Sequence, residues 1–99
     1  MEQILAIETI VSNPEIRSGR PVIAGTTIMV SDIAIYYTTW GWPPEEIAEQ
    51  LVLPLGKVLA ALAYYFEHED EIKEEIAERH RVAEALREQL THGRDQILP

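Results

Sequence analysis

Two stretches hold the residues able to do chemistry: residues 19–26, which carry glycines, and residues 67–80, which carry histidines and carboxylates. In the first, Gly19 and Gly25 expose backbone N–H groups of the kind that cradle phosphate, and Arg17 and Arg20 stand beside them. The stretch lacks the G-x-x-x-x-G-K-[ST] spacing and does not sit between a strand and a helix as a P-loop does. A pair of tight turns explains the glycines equally well, and solvated turn residues explain the arginines. In the second stretch, His68, Glu71, Glu75 and His80 are metal-ligating types, yet they form neither H-E-x-x-H nor paired E-x-x-H motifs. The carboxylates of residues 67–78 are general acids and bases in type, but no nucleophile accompanies them. There is no cysteine, and no Ser, His and Asp share a spacing that supports a triad. These residues read as a solvated helix face. The expectation is a non-enzyme without catalytic residues, metal or cofactor.

Charge restricts the partners further. Eight basic residues against 17 acidic give a net charge of −9 over 99 residues. Residues 1–66 hold three basic and seven acidic residues, a net −4, and residues 67–99 hold five and ten, a net −5. Nucleic-acid affinity rests chiefly on Lys and Arg neutralising phosphates, so DNA is repelled at long range. An acidic chain suits a basic protein partner, although acidity also serves solubility alone. The length fits one small domain with an arm or tail. No window approaches the roughly 18 unbroken apolar residues of a membrane span. The first residues, MEQILAIET, have no signal-peptide pattern. The expectation is a cytoplasmic protein with no membrane contact.

The elements that must position these residues are short at first. Residues 4–11 (ILAIETIV), Val22-Ile23 and residues 27–30 (TIMV) are strand-like runs, separated by turns at Ser12-Asn13-Pro14, Gly19-Arg20-Pro21 and Ala24-Gly25-Thr26. Such an arm is too small to be stable alone. Ser31 is positioned to cap a first helix, with Asp32 complementing its dipole. That helix is expected to turn Ile33, Tyr36, Tyr37 and Trp40 inward and to stop at Gly41. One of Trp40 and Trp42 is assigned to the core and the other to an interface. Pro43-Pro44 and Pro54 open two further helices, since proline costs little where N–H groups lack partners.

Between Pro44 and Phe66 two amphipathic patterns meet. Pro44, Ile47, Ala48 and Leu51 share one face; Leu55, Val58, Leu59, Leu62, Ala63 and Phe66 recur at three- and four-residue steps. Ile47-Ala48 with Leu51, Leu53 and Val58 makes the apolar frame of a helix-turn-helix. The groove-facing positions hold Pro54, Leu55, Gly56 and Ala60, which offer base edges nothing; Lys57 is the one long donor. Arg17, Arg20 and Lys57 are therefore the candidate nucleic-acid contacts, and DNA binding by the isolated chain is expected to be weak or absent. From residue 67 a charged helix follows, with Ile72, Ile76, Ala83, Leu86 and Leu90 as a narrow seam interrupted by Arg79. Such a seam docks along one line, and these five residues are the candidate partner-binding set. Residues 94–99 read as a frayed tail. The expected fold is mainly α: a short N-terminal β arm, a three-helix module and a long C-terminal helix, with domains at 1–66 and 67–99. Apolar surface left over by the arm, the aromatic corner and the seam suggests a homodimer through paired arms or paired C-terminal helices.

Asn13-Pro14-Glu15-Ile16, then Ser18-Gly19-Arg20-Pro21-Val22-Ile23-Ala24-Gly25-Thr26, with Ile28 and Val30, closely resembles a bacterial family known as domain of unknown function 433. Gly41, Pro44-Glu45-Glu46-Ile47 and Val58-Leu59-Ala60-Ala61-Leu62-Ala63-Tyr64-Tyr65 fit it as well, so the resemblance spans roughly residues 7–72. It implies a small homeodomain-like or winged-helix-like module and, for many members, an antitoxin paired with a toxin of PIN-like nuclease fold. Where the family usually has Arg after Gly-Thr, this chain has Thr27; an arginine contact to a partner or phosphate would be lost. The expected function is an antitoxin-like binding module whose acidic helix covers a basic nuclease. An autoregulatory DNA-binding repressor and a purely structural homo-oligomer are the alternatives.

Overall fold

The computed structural model describes residues 1–3 and 9–97, with side chains described through Thr91. Its elements are β1 (Ile10–Val11), β2 (Val22–Ile23), α1 (Val30–Thr38), α2 (Pro44–Leu51), α3 (Leu55–Glu67) and α4 (Glu69–Ile97). The fold class is as expected: mainly α, with a two-stranded N-terminal sheet, a helix-turn-helix-like trio and a long final helix. The chain divides into two units, Met1–Glu69 and Asp70–Pro99.

In the first unit β1 and β2 pair antiparallel, Ile10 with Ile23 and Val11 with Val22. Residues 4–8 of the expected first strand lie outside the described residues. The expected strand at residues 27–30 is corrected: Met29 makes an isolated bridge to Val22, and Val30 already belongs to α1. The helical start wins there because a carboxylate is available to seal it. Asp32 Oδ2 accepts the Met29 N–H at 3.0 Å, which satisfies an otherwise orphaned donor and puts negative charge at the positive end of the helix. Met29, not Ser31, is thus the cap residue, and Ser31 is buried within the first turn.

Val30, Ile33 and Ala34 face inward from α1, Ile47 and Ala48 from α2, and Val58, Ala61, Leu62 and Tyr65 from α3. The small Ala48 and Ala61 let the helices approach, and the branched residues fill the space between. The N-terminal turns hold Val22 and Ile23 in the same core. The inward set expected for α1 holds for Ile33 and fails for two aromatics. Tyr37 is exposed, and Trp40 is 55% exposed. Trp40 lies beyond the end of the nine-residue helix, and Tyr37 lies in its last turn. Gly41, at φ 72°, turns the chain, and the Trp42 N–H donates to the Tyr36 carbonyl at 3.0 Å.

Pro43 caps α2 and Pro44 occupies its first turn, with Glu45 and Glu46 at the positive end. The turn into α3 carries an unusual residue. Val52 has left-handed backbone (φ 55°, ψ 52°) and closes α2 by donating its N–H to Ala48 and Glu49 carbonyls. A β-branched residue crowds its own carbonyl in that region, at a cost of about 1–2 kcal/mol. Its side chain is 89% exposed, so no core packing offsets the strain. Val52→Gly is therefore expected to stabilise the fold by about 0.5–1 kcal/mol net of unfolded-state entropy, raising Tm by a few degrees. A thermal melt in which Tm falls would show that Val52 makes contacts that outweigh its strain.

His68 ends α3 with φ −129° and ψ 42°, its N–H shared by the Tyr64 and Tyr65 carbonyls. Its ring stacks on Tyr64 with centroids 4.0 Å apart. In the second unit, α4 runs through Gly93 to Ile97, so residues 94–97 of the expected tail are helical; one glycine costs a helix only about 1 kcal/mol.

Candidate functional site

The glycine stretch is built as two interlocked turns. Arg17, Ser18 and Gly19 are all left-handed, with φ of 51°, 57° and 82°. The turn is held from outside: the Ser12 hydroxyl donates to the Gly19 carbonyl at 2.6 Å, and Asn13 Oδ1 accepts the Glu15 N–H at 2.9 Å. In the second turn Thr26 is central. Its hydroxyl donates to the Ile23 carbonyl (2.8 Å) and accepts the Ile28 N–H (3.0 Å), while Gly25 supplies φ 78°. The polar groups of this stretch thus bond one another and hold β2 against the first helix.

Of Arg17, Arg20 and Lys57, Arg17 is the exposed one. The Arg17 Nε donates to the Thr27 carbonyl at 3.1 Å, and Arg20 and Lys57 are half-buried. Thr27 is exposed, and its backbone carbonyl accepts the Arg17 bond.

The α3 pattern that reads as one face is two. Val58, Ala61, Leu62 and Tyr65 are core, whereas Leu55, Leu59, Ala63 and Phe66 are exposed. Phe66 has Tyr37 of α1 edge-on, with centroids 6.2 Å apart. Between β1 and α3, Thr9, Ile10, Ala60, Ala63 and Tyr64 line an open, mainly apolar groove of about 320 Å³. This surface was legible in one respect. The apolar residues of α3 cover too wide an arc for one buried stripe, which in a domain this small leaves part of them in water.

The aromatic corner also departs from expectation, because neither tryptophan is buried. Trp40 and Trp42 pack on one another at 5.1 Å and on Tyr36 at 4.8 and 5.3 Å. They shield each other outside the core.

On α4 the five seam residues part company. Ile72 is 2% exposed and Ile76 is half-buried, while Ala83, Leu86 and Leu90 are exposed, Leu86 at 53% and Leu90 at 66%. Val82, which the seam omits, is exposed beside them. Arg81 donates to Glu78 at 2.6 Å and to Glu74 at 3.0 Å. The Glu78 bond, then the Glu74 bond, raise its pKa further above an already high value, so it stays charged at any working pH. One carboxylate oxygen of Glu75 is buried without a partner. Among the described residues no group of three or more His, Asp or Glu is arranged to hold a metal, and no helix is long and apolar enough to cross a membrane.

No curated protein and no solved structure matches the chain. A family model described as a protein of unknown function, DUF433, matches residues 10–65, which run from β1 through the two interlocked turns to the last core residue of α3. The match takes in the helical trio and leaves α4 outside. The chain belongs to the DUF433 family.

Proposed function

We propose that this chain is a non-catalytic, antitoxin-like protein-binding module whose C-terminal helix covers a basic partner, of the PIN-like nuclease class that the family resemblance implies. The observation that carries the reading is α4: Leu86 and Leu90 stand exposed on a helix that holds nine carboxylates, six of them within residues 69–78, against five basic residues. Apolar anchors in such a helix supply affinity, and the carboxylates supply steering and select the sign of the partner. Co-expression with the product of the adjacent gene tests it. A stoichiometric complex that survives purification supports the reading, and two separately eluting proteins count against it.

The helix-turn-helix-like frame favours a second reading, a DNA-binding repressor. Its weakness is chemical. The outward residues of α3 are Leu55, Gly56, Leu59 and Ala63, none of which donates to a base edge. Few cations stand against the net −9. A gel shift with the upstream region of its own gene is expected to show no complex at micromolar protein and physiological salt. A submicromolar, salt-sensitive complex abolished by Lys57→Ala would favour the repressor.

A further inference from the structure

We infer that the outer face of α3 is the interface of a homodimer, the second copy being the occupant of its exposed apolar stripe. Leu55, Leu59 and Phe66 form a ridge, exposed at 40%, 48% and 55%. Tyr37 extends it at one end. Immediately beside it, Gly56, Ala60 and Ala63 keep the helix surface low. A Cβ at Gly56 would meet nothing within 4 Å, and Ala60 and Ala63 floor the groove walled by Ile10 and Tyr64. Ridge and groove thus run side by side on one helix. A two-fold axis across α3 sets the ridge of each copy into the groove of the other, which is the self-complementarity that an isologous contact needs.

Charge points to the same occupant. Residues 58–66 of α3 contain no ionisable side chain but the tyrosines, and half-buried Lys57 is off the ridge, on the side of the groove residues Ala60 and Tyr64. Two copies at −9 repel each other less where their contact surface holds few carboxylates, and along α3 this surface meets one, Glu67 at the end of the helix. A basic partner finds Glu67 alone to pair with here, and a nucleic acid finds Lys57 as the one long donor. Tyr37, Leu55, Leu59 and Phe66, with Val52 in the preceding turn, expose on the order of 500 Å² per copy. A pair buries about 1,000 Å² in all, the lower bound for a specific interface, so the dimer is weak. Leu86 and Leu90 take no part, so this interface stands or falls independently of the partner reading.

Sedimentation of the full chain across about 5–100 μM, the range in which weak dimers dissociate, tests the inference. The expected result is a monomer–dimer equilibrium whose dissociation constant rises by at least about 30-fold in Leu59→Asp, because a buried carboxylate has no counter-charge. The paired change Leu86→Asp with Leu90→Asp leaves it intact. A chain that is monomeric throughout, or a dimer indifferent to Leu59→Asp, overturns the inference. If Leu59→Asp fails to fold by circular dichroism, the absence of native cysteine allows a second measurement. Gly56→Cys is expected to give a covalent dimer under mild oxidation, while Glu49→Cys on exposed α2 stays monomeric. Equal crosslinking of the two, or none at position 56, also overturns it.

Discussion

Leu86→Ala combined with Leu90→Ala is expected to weaken the complex with the proposed basic partner by about 10²–10⁴-fold while leaving the fold intact. Each leucine is more than half exposed in the free chain. Burying each against a partner contributes about 1.5–3 kcal/mol, and every 1.4 kcal/mol is about tenfold in affinity. Truncation of an exposed side chain costs the free protein little, within about 0.5 kcal/mol. The carboxylates act differently. Glu84 and Glu88 are exposed, so Glu84→Gln with Glu88→Gln removes pairs worth about 0–1 kcal/mol each, and that loss shrinks further as salt rises. Titration calorimetry at physiological and high salt separates the two effects. If the glutamine pair weakens binding as much as the alanine pair, charge rather than apolar burial holds the complex.

Ile47→Ala is expected to destabilise the first unit by about 2–5 kcal/mol, a large share of the 5–15 kcal/mol typical of a whole domain. Ile47 has no exposed surface and projects from α2 into the core beneath α3, where a cavity has little freedom to collapse. Ile72→Ala is also expected to lower the stability of the chain despite its place in the α4 pattern, because Ile72 is 2% exposed. Leu86→Ala should leave the urea midpoint unchanged. The contrast within one seam is the informative part: an unchanged midpoint for Ile72→Ala would return Ile72 to the partner-binding set.

Helix boundaries were legible where one residue type has one favourable place. Pro43-Pro44 opens α2 because a missing N–H costs nothing there, and Gly41 turns the chain after α1 because it tolerates positive φ. The strand-like run at residues 27–30 misled, since β-branched residues accept a helix when a cap competes. The Asp32 carboxylate on the Met29 N–H decided it. Left-handed backbone at Arg17, Ser18 and Val52 was invisible, as no residue preference announces it. The Ser12 bond to Gly19 that braces one of these turns spans seven residues. At the candidate site, spacing grouped five α4 residues whose burial differs. A periodic pattern says which residues share a face, and burial depends on how far a neighbour extends along it. On α3 the same kind of pattern grouped Leu59, Ala63 and Phe66 with the buried Val58 and Leu62, and the excess width of that arc was the one clue.

The most direct test of the account is the equilibrium between the full chain and the product of its adjacent gene, measured by calorimetry with wild type and with Leu86→Ala, Leu90→Ala side by side. The account predicts a stoichiometric complex with a basic protein, lost or weakened at least about 100-fold in the double variant, with circular dichroism unchanged. Absence of any complex with wild type, or a complex of equal affinity with the double variant, would contradict a module that binds through its C-terminal helix.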